Sequence, residues 1–285
     1  MSSKKKKSHA PEMELVLGAG GVKGYGHVGV LKSIEKNRIA IGEVTGVSIG
    51  SLIAAFYSNG FTAAQIHEIL AREAFLTEGA ATLQMWQDAL TLKGLQSAGL
   101  VNLAPIMQRI VKKYKLVPNS RLKIVAYNIS SLSPVLFSGE NYNLAKAIAG
   151  SCSVPLVMRP VIERLKGSAQ KQTLVDGCVY HTHPSDFCKG PAIVSKLGFA
   201  SRLPSEWLPP AQLFMHFAEL ANCLLLDWYF EDPRSDRNHI LIQSGLPDVA
   251  SMSFNSSSKK CLEMVAHGER QADLKLRTAD VRRTA

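Results

Sequence analysis

The sequence contains no run of about 18 apolar residues free of charged or strongly polar side chains, so it predicts no membrane-spanning helix. The lysines near its start are not followed by an apolar stretch, so no secretory signal is read there. Its cysteines, Cys152, Cys178, Cys188, Cys223 and Cys261, are odd in number, scattered, and form no C-x-x-C pair. That excludes a zinc ribbon and a thioredoxin motif, and reads as free thiols in a reducing compartment. There is no EF-hand-like acidic loop and no Gly-Lys-Ser/Thr phosphate loop. Internal repeats and long low-complexity tracts are also missing.

What is present suits a globular domain: 285 residues, 46% hydrophobic and 20% charged. The net charge of +10 is uneven, because Lys4–Lys7 contribute four positive charges and the last 27 residues a net three more. A nucleic-acid groove would spread its charge over the folded body among aromatics, so no nucleic-acid partner is expected. Charge gathered at the two ends fits solvated tails or loose attraction to anionic lipid. Residues 1–11 have too few apolar groups to pack and read as a disordered basic tail, and 12–285 as one domain.

Along that domain, Glu14–Leu17 reads as a strand ending in the run Gly18-Ala19-Gly20-Gly21. Val28, Leu31 and Ile34 mark a helix closing near Asn37, Ile41–Thr45 a second strand, and Leu52, Ile53 and Phe56 a second helix. Residues 62–115 read as mostly helical with a break around Gly94–Gly99. Leu122–Ile129 returns as a strand with Val135–Phe137 as its partner, and Asn143–Ala149 is a short helix. Gln172–Val175, Ile193-Val194 and His239–Ile242 supply the last strands. Strands alternating with helices predict a three-layer α/β/α fold around a mainly parallel central sheet.

The sharpest local pattern is Gly46-Val47-Ser48-Ile49-Gly50, a G-x-S-x-G lying between a predicted strand and a predicted helix. A nucleophile elbow requires that setting: the turn is so tight that glycine must flank the serine two residues away on each side. The turn also aims the Ile49 amide at a substrate carbonyl. The second pattern, Gly18 to Gly24, has three competing uses. A dinucleotide fingerprint needs its glycines straight after the strand, but the one full match, Gly24-Tyr25-Gly26-His27-Val28-Gly29, starts seven residues late. A phosphate loop lacks its Lys-Ser/Thr. An oxyanion hole needs only preorganised N–H donors beside a nucleophile, and that is the reading adopted. His67-Glu68 opens like a zinc-protease helix, but Ala71 stands where the second histidine must be. His181-Thr182-His183 reads as two loop histidines rather than a metal site.

Taken together these motifs resemble the patatin-like phospholipase family, over about residues 13–276. The family's G-G-G-x-[RK]-G loop is matched by Ala19-Gly20-Gly21-Val22-Lys23-Gly24, and its following helix by His27-Val28-Gly29-Val30-Leu31. Its A-S-x-x-x-P segment resembles Gly150-Ser151-Cys152-Ser153-Val154-Pro155, with Arg159-Pro160-Val161 behind. Its D-G-[GA] motif resembles Asp176-Gly177-Cys178. The chain departs from the family at Ala19, Cys178 and His181.

The resemblance implies a serine lipid acyl hydrolase of phospholipase A or lysophospholipase type. Ser48 would be the nucleophile and Asp176 the proton acceptor, with Gly20, Gly21, Val22 and Ile49 as oxyanion donors. Lys23, Gly24, Gly46, Gly50 and Gly177 would support the motifs. Neither cofactor nor metal is implied. An aspartate with the ordinary value near ~3.9 is a weak base toward serine, so burial must raise it. His27 is the rival base, though a structural role supporting the loop is the preferred reading. The implied substrate is a phospholipid or other acyl lipid. The implied location is cytoplasmic, with peripheral contact to an anionic membrane. Leu213–Trp228, with Leu213, Phe217, Leu220, Leu224 and Trp228 along one face, is the candidate lipid-facing helix, although ordinary core packing is the preferred reading. Acyl transfer to an alcohol, and a catalytically weak binding protein on the same scaffold, remain as alternatives.

Overall fold

The computed structural model describes residues 12–73, 101–155, 158–164, 170–198, 239–249 and 256–278. The basic stretch 1–11, the break at Gly94–Gly99 and the candidate helix Leu213–Trp228 lie outside the described residues.

The chain forms a mainly parallel mixed sheet flanked by helices. Among the described residues its eight strands are β1 (Met13–Leu17), β2 (Ile41–Val47), β3 (Leu122–Asn128), β4 (Ser133–Ser138), β5 (Val161–Arg164), β6 (Lys171–Asp176), β7 (Ala192–Lys196) and β8 (Ile240–Gln243). The order is β5-β6-β3-β2-β1-β7-β8, with β4 also on β3. From β3 through β2, β1 and β7 to β8 every pairing is parallel, while β4, β5 and β6 are joined antiparallel. Among the described residues the α-helices are α1 (Tyr25–Lys36), α2 (Ile49–Ser58), α3 (Ala63–Glu73), α4 (Leu103–Lys113), α5 (Leu144–Ser151) and α6 (Ser258–Thr278). Asn102 and Asn143 cap α4 and α5 through their side-chain oxygens, which accept amides left over at those helix starts. Among the described residues no helix is long and apolar enough to cross a membrane.

The parallel strands β1 and β3 read as nearly unbroken apolar runs because helices or loops cover them. Leu15, Leu17, Val44, Leu122, Ile124 and Ala126 project from one face into the main core with the helices. Val16, Ala192 and Val194 project from the other face and meet Cys188.

One register positions everything that follows. Ala126 of β3 pairs with Val135 on one side and Asp176 on the other, while Val125 pairs with Leu136 and Val47. With β4 running along one side of β3, β2 and β6 must share the opposite side. They meet there head to head, β2 ending at Val47 and β6 at Asp176, against consecutive residues of β3.

Two features differ from the expectation. β5 is a four-residue strand in a stretch to which the sequence assigned no element beyond Arg159-Pro160-Val161 of the family-like segment. The basic C-terminal end is not a solvated tail up to Thr278: Ser258–Thr278 is a helix packed along α1. The approach is close because glycine allows it. A Cβ on Gly29 would overlap the Val265 carbonyl, and one on Gly268 would overlap the Gly26 carbonyl. Ser33 Oγ and Lys36 Nζ then donate to Asp273, at 2.5 and 2.8 Å.

Candidate active site

β2 turns into α2 at Ser48, and the turn is tight enough to hold this residue at φ 53°, ψ −129°. A non-glycine residue there costs on the order of 1–3 kcal/mol, which the surroundings must offset. They do so by crowding. A Cβ at Gly46 would overlap the Gly50 carbonyl, and a Cβ at Gly50 the Leu17 carbonyl, so both glycines are required by contact. The Ser48 amide donates to Ser151 Oγ at 2.9 Å, and Ser151 Oγ donates in turn to the Val125 carbonyl at 2.6 Å. Ser51 Oγ donates to the Ser48 carbonyl at 2.7 Å.

Ser48 is 8% exposed and Asp176 fully buried. Ser48 Oγ donates to Asp176 Oδ2 at 2.6 Å, and the Cys178 amide donates to Oδ1 at 2.9 Å. The Asp176 amide donates to the Ser153 carbonyl at 2.8 Å. The end of α5 and the turn after it therefore grip both partners, Ser48 through Ser151 and Asp176 through Ser153. Gly177 lies so close to the Val125 carbonyl that a side chain would not fit. Burial pushes the Asp176 carboxyl up to about 6, and the hydrogen bonds from Ser48 and Cys178 pull against that rise. Among the described residues no cation appears in these influences, and two half-buried cysteines, Cys152 and Cys178, sit close enough for the carboxylate to raise their own values. Such a group is ionised at neutral pH yet a better proton acceptor than an ordinary aspartate.

The glycine loop passes beside this pair. Gly18 and Ala19 amides donate to the Ser195 and Thr182 carbonyls at 3.1 and 2.7 Å, and the Lys23 amide to Gly20 at 3.1 Å. Gly21 (φ 54°) opens the short 3-10 turn Gly21–Gly24, so the Gly21 and Val22 amides have no acceptor within it, and Ile49 likewise opens α2. Gly24 abuts Ile49 so closely that a Cβ would not fit, which brings loop and elbow together. Lys23 is buried, its Nζ donating to the Gly198 carbonyl at 3.0 Å. Ala19 is accommodated because its φ is not positive; among the described residues only Arg38, Ser48, Lys115 and Leu132 are non-glycines of that kind.

His27 is placed elsewhere. Its Nε2 donates to the Gly18 carbonyl at 2.8 Å, which fixes the tautomer, so Nδ1 accepts from Ser195 Oγ at 2.7 Å. Burial lowers it to about 4, only partly opposed by the Gly18 carbonyl. A neutral ring with both nitrogens engaged braces the start of the glycine loop. His67 packs edge-on against Tyr25. His181 and His183 stack edge to face at 4.6 Å, and burial lowers His183 to about 3. Among the described residues no group of three or more His, Cys, Asp or Glu is placed to share a metal ion.

The structure thus brings Ser48, Asp176 and the glycine loop together and leaves His27 outside. Ser151 is the residue that sequence reasoning missed. Its segment was noticed as a motif, but its partners are 103 and 26 positions away.

The patatin-like phospholipase family model matches residues 15–187. An uncharacterized protein of Bacillus subtilis, YqhO, is 25% identical, covering 92% of this chain and 97% of that one. The lysophospholipase NTE1 of Eremothecium gossypii is 45% identical over 47 residues, which is 16% of this chain and 3% of that protein's length. Among solved structures, VipD from Legionella pneumophila superposes with a TM-score of 0.51 at 13% identity, covering 96% of this chain and 69% of that chain, a likeness of fold alone.

Proposed function

The chain belongs to the patatin-like phospholipase family, and from that premise we propose that it is a serine lipid acyl hydrolase working through a Ser48–Asp176 dyad. Residues 12–285 act as one catalytic unit in this reading. Asp176 takes the Ser48 proton as Oγ attacks the ester carbonyl. The tetrahedral oxyanion is held by the amides of Gly20, Gly21, Val22 and Ile49, with the N-terminus of α2 favouring the developing charge. Collapse expels the alcohol, which takes the proton back from Asp176, and leaves an acyl ester on Ser48. Water then attacks that ester as Asp176 accepts its proton, releasing the fatty acid and restoring the serine.

One observation carries the proposal: the 2.6 Å hydrogen bond from a serine strained on a strand-to-helix turn to a fully buried aspartate. The engagement of both His27 nitrogens elsewhere supports aspartate over histidine as the base. An acyl lipid, such as a phospholipid or lysophospholipid, is the proposed substrate, supported by the family and by the lysophospholipase name of a partial-length relative. The test is hydrolysis of phospholipid and short-chain esters by wild type, Ser48→Ala and Ser51→Ala, with folding checked by circular dichroism. Ser48→Ala is expected to fall to background while Ser51→Ala keeps most of its activity. A folded Ser48→Ala that still hydrolyses esters refutes the assignment.

A further inference from the structure

Four of the eight exposed large hydrophobic residues among those described, Ile129, Leu132, Leu136 and Ile162, fall in one corner of the sheet. Register explains why. Thr173 of β6 pairs with Ile162 on one side, and its carbonyl accepts the Ile129 amide at 3.0 Å on the other. Paired residues of antiparallel strands share a face, so Ile162, Thr173 and Ile129 form one lateral row. Leu136 of β4 pairs with Val125, two and four residues back from Tyr127 and Ile129, and belongs to the same face. Leu132, 75% exposed, stands at the tip of the β3–β4 turn beside that row. Ile162 is 59% exposed and Ile129 44%. This is the face opposite the one on which Leu174 meets Gly150 of α5.

The charge bordering the strip on β5 and β6 has one sign. The next pair outward along β5 and β6 is Arg164 with Lys171, both exposed. No carboxylate stands at the facing positions of β3 to β6; Glu163 points to the other side and is paired with Lys146. Thr173 lies three residues from Asp176 on the same strand, about 10 Å along it, an odd offset that puts the two side chains on opposite faces. An apolar strip bordered by cations matches an anionic bilayer surface, whose headgroups attract the cations while the apolar side chains enter the interface. A protein partner would be expected to supply carboxylates for Arg164 and Lys171 and bury the strip fully. The lipid surface needs no such matching pattern.

We propose that this sheet corner, built from Ile129, Leu132, Leu136 and Ile162 with Arg164 and Lys171, seats the protein on anionic lipid bilayers. The proposal rests on the lipid-hydrolase reading for its occupant but not for its geometry. The test is co-sedimentation of the full chain, carrying Ser48→Ala so that no lipid is consumed, with phosphatidylcholine vesicles alone or containing about 30% phosphatidylglycerol. Binding is expected to favour the anionic vesicles. Leu132→Asp with Ile162→Asp should weaken partitioning about ten-fold or more, and Arg164→Gln or Lys171→Gln roughly five-fold each. The last two variants remove no packing, so they remain informative if the first fails to fold. In the Ser48 background, hydrolysis of a soluble ester by all these variants should stay at the wild-type level. Variants that bind as tightly as wild type would overturn the proposal and leave any attraction to Lys4–Lys7. A dimer in gel filtration that Ile162→Asp abolishes, with vesicle binding unchanged, would assign the strip to a second copy and overturn it as well. Vesicle binding that behaves as expected in a protein that hydrolyses no ester would refute the hydrolase reading and not the surface.

Discussion

Asp176 and Glu14 are both buried carboxylates beside β3, one paired with Ala126 and the other reached by the side chain of Lys123, yet their surroundings drive them in opposite directions. Burial pushes both up. At Glu14 the amides of Gly190 and Lys189 and the Lys123 ammonium outweigh it, holding the group below its ordinary 4.5. At Asp176 the opposing partners are a serine hydroxyl and an amide, and the group stays up at about 6. Lys123 sits 3.4 Å from Glu14 and 2.5 Å from Glu43, so one end of β3 is a closed ion network tying three strands together. At the other end, no cation among the described residues contributes to the Asp176 carboxylate. The first arrangement holds the sheet, and the second leaves the carboxyl raised, as the proposed proton acceptor requires.

The comparison is broken most severely by removing the basic oxygen. Asp176→Asn should lower ester hydrolysis by roughly 10^3-fold or more, close to the loss in Ser48→Ala, and the double variant should be no worse than either, since groups acting as a unit are non-additive. Steady-state kinetics on one soluble ester checks this. At the other end, Lys123→Met should cost stability, about 3–5 kcal/mol for breaking a buried pair, and leave kcat per folded molecule near wild type. Urea unfolding read beside active-site titration separates the two.

Ser151→Ala tests the brace between them. It leaves the buried Ser48 amide and Val125 carbonyl unpaired, so about 1–3 kcal/mol of stability should go. The nucleophile would lose its fixed position, and kcat should fall about ten- to hundred-fold with KM little changed. Ser151→Thr, which keeps the hydroxyl, should recover part of that loss.

The smallest effect sharpens the comparison through its sign. The native Asp176 holds its proton to about 6 against 3.8 as its ordinary value, so between those values the folded state binds more protons. Wild-type stability from this group therefore falls as pH rises through that window, by at most about 3 kcal/mol. The stability of Asp176→Asn relative to wild type should rise from pH 4 to 6 and then level off. Glu14→Gln should behave in reverse, because a lowered carboxylate stabilises above its ordinary 4.5 and loses that contribution as pH falls. Its deficit should be present at pH 7 and shrink in acid. Melting temperatures from about pH 2.5 to pH 7 for the three proteins measure both signs.

Much of this was legible in the sequence where a local rule forces the residue. Gly46 and Gly50 flank Ser48 because backbone carbonyls leave no room for a side chain, and such a constraint appears as a short string between a strand and a helix. Asp176 was reached only through resemblance, since Asp-Gly after a strand has no chemical signature until β3 aligns it with Ala126. Ser151 carried no signal for its role, because its partners lie on other elements. The helix Ser258–Thr278 was concealed by its polar composition, because its lysines and arginines looked like tail charge.

The central claim, that Asp176 is the base for Ser48, is tested most directly by the pH dependence of Ser48 labelling by a fluorophosphonate, which reports nucleophile activation without reference to substrate. The account predicts a labelling rate that rises with pH through an apparent value of about 6, stays flat from there to pH 8, and is lost in Asp176→Asn but kept in His27→Ala. Labelling of folded Asp176→Asn at the wild-type rate, together with its loss in folded His27→Ala, would contradict it.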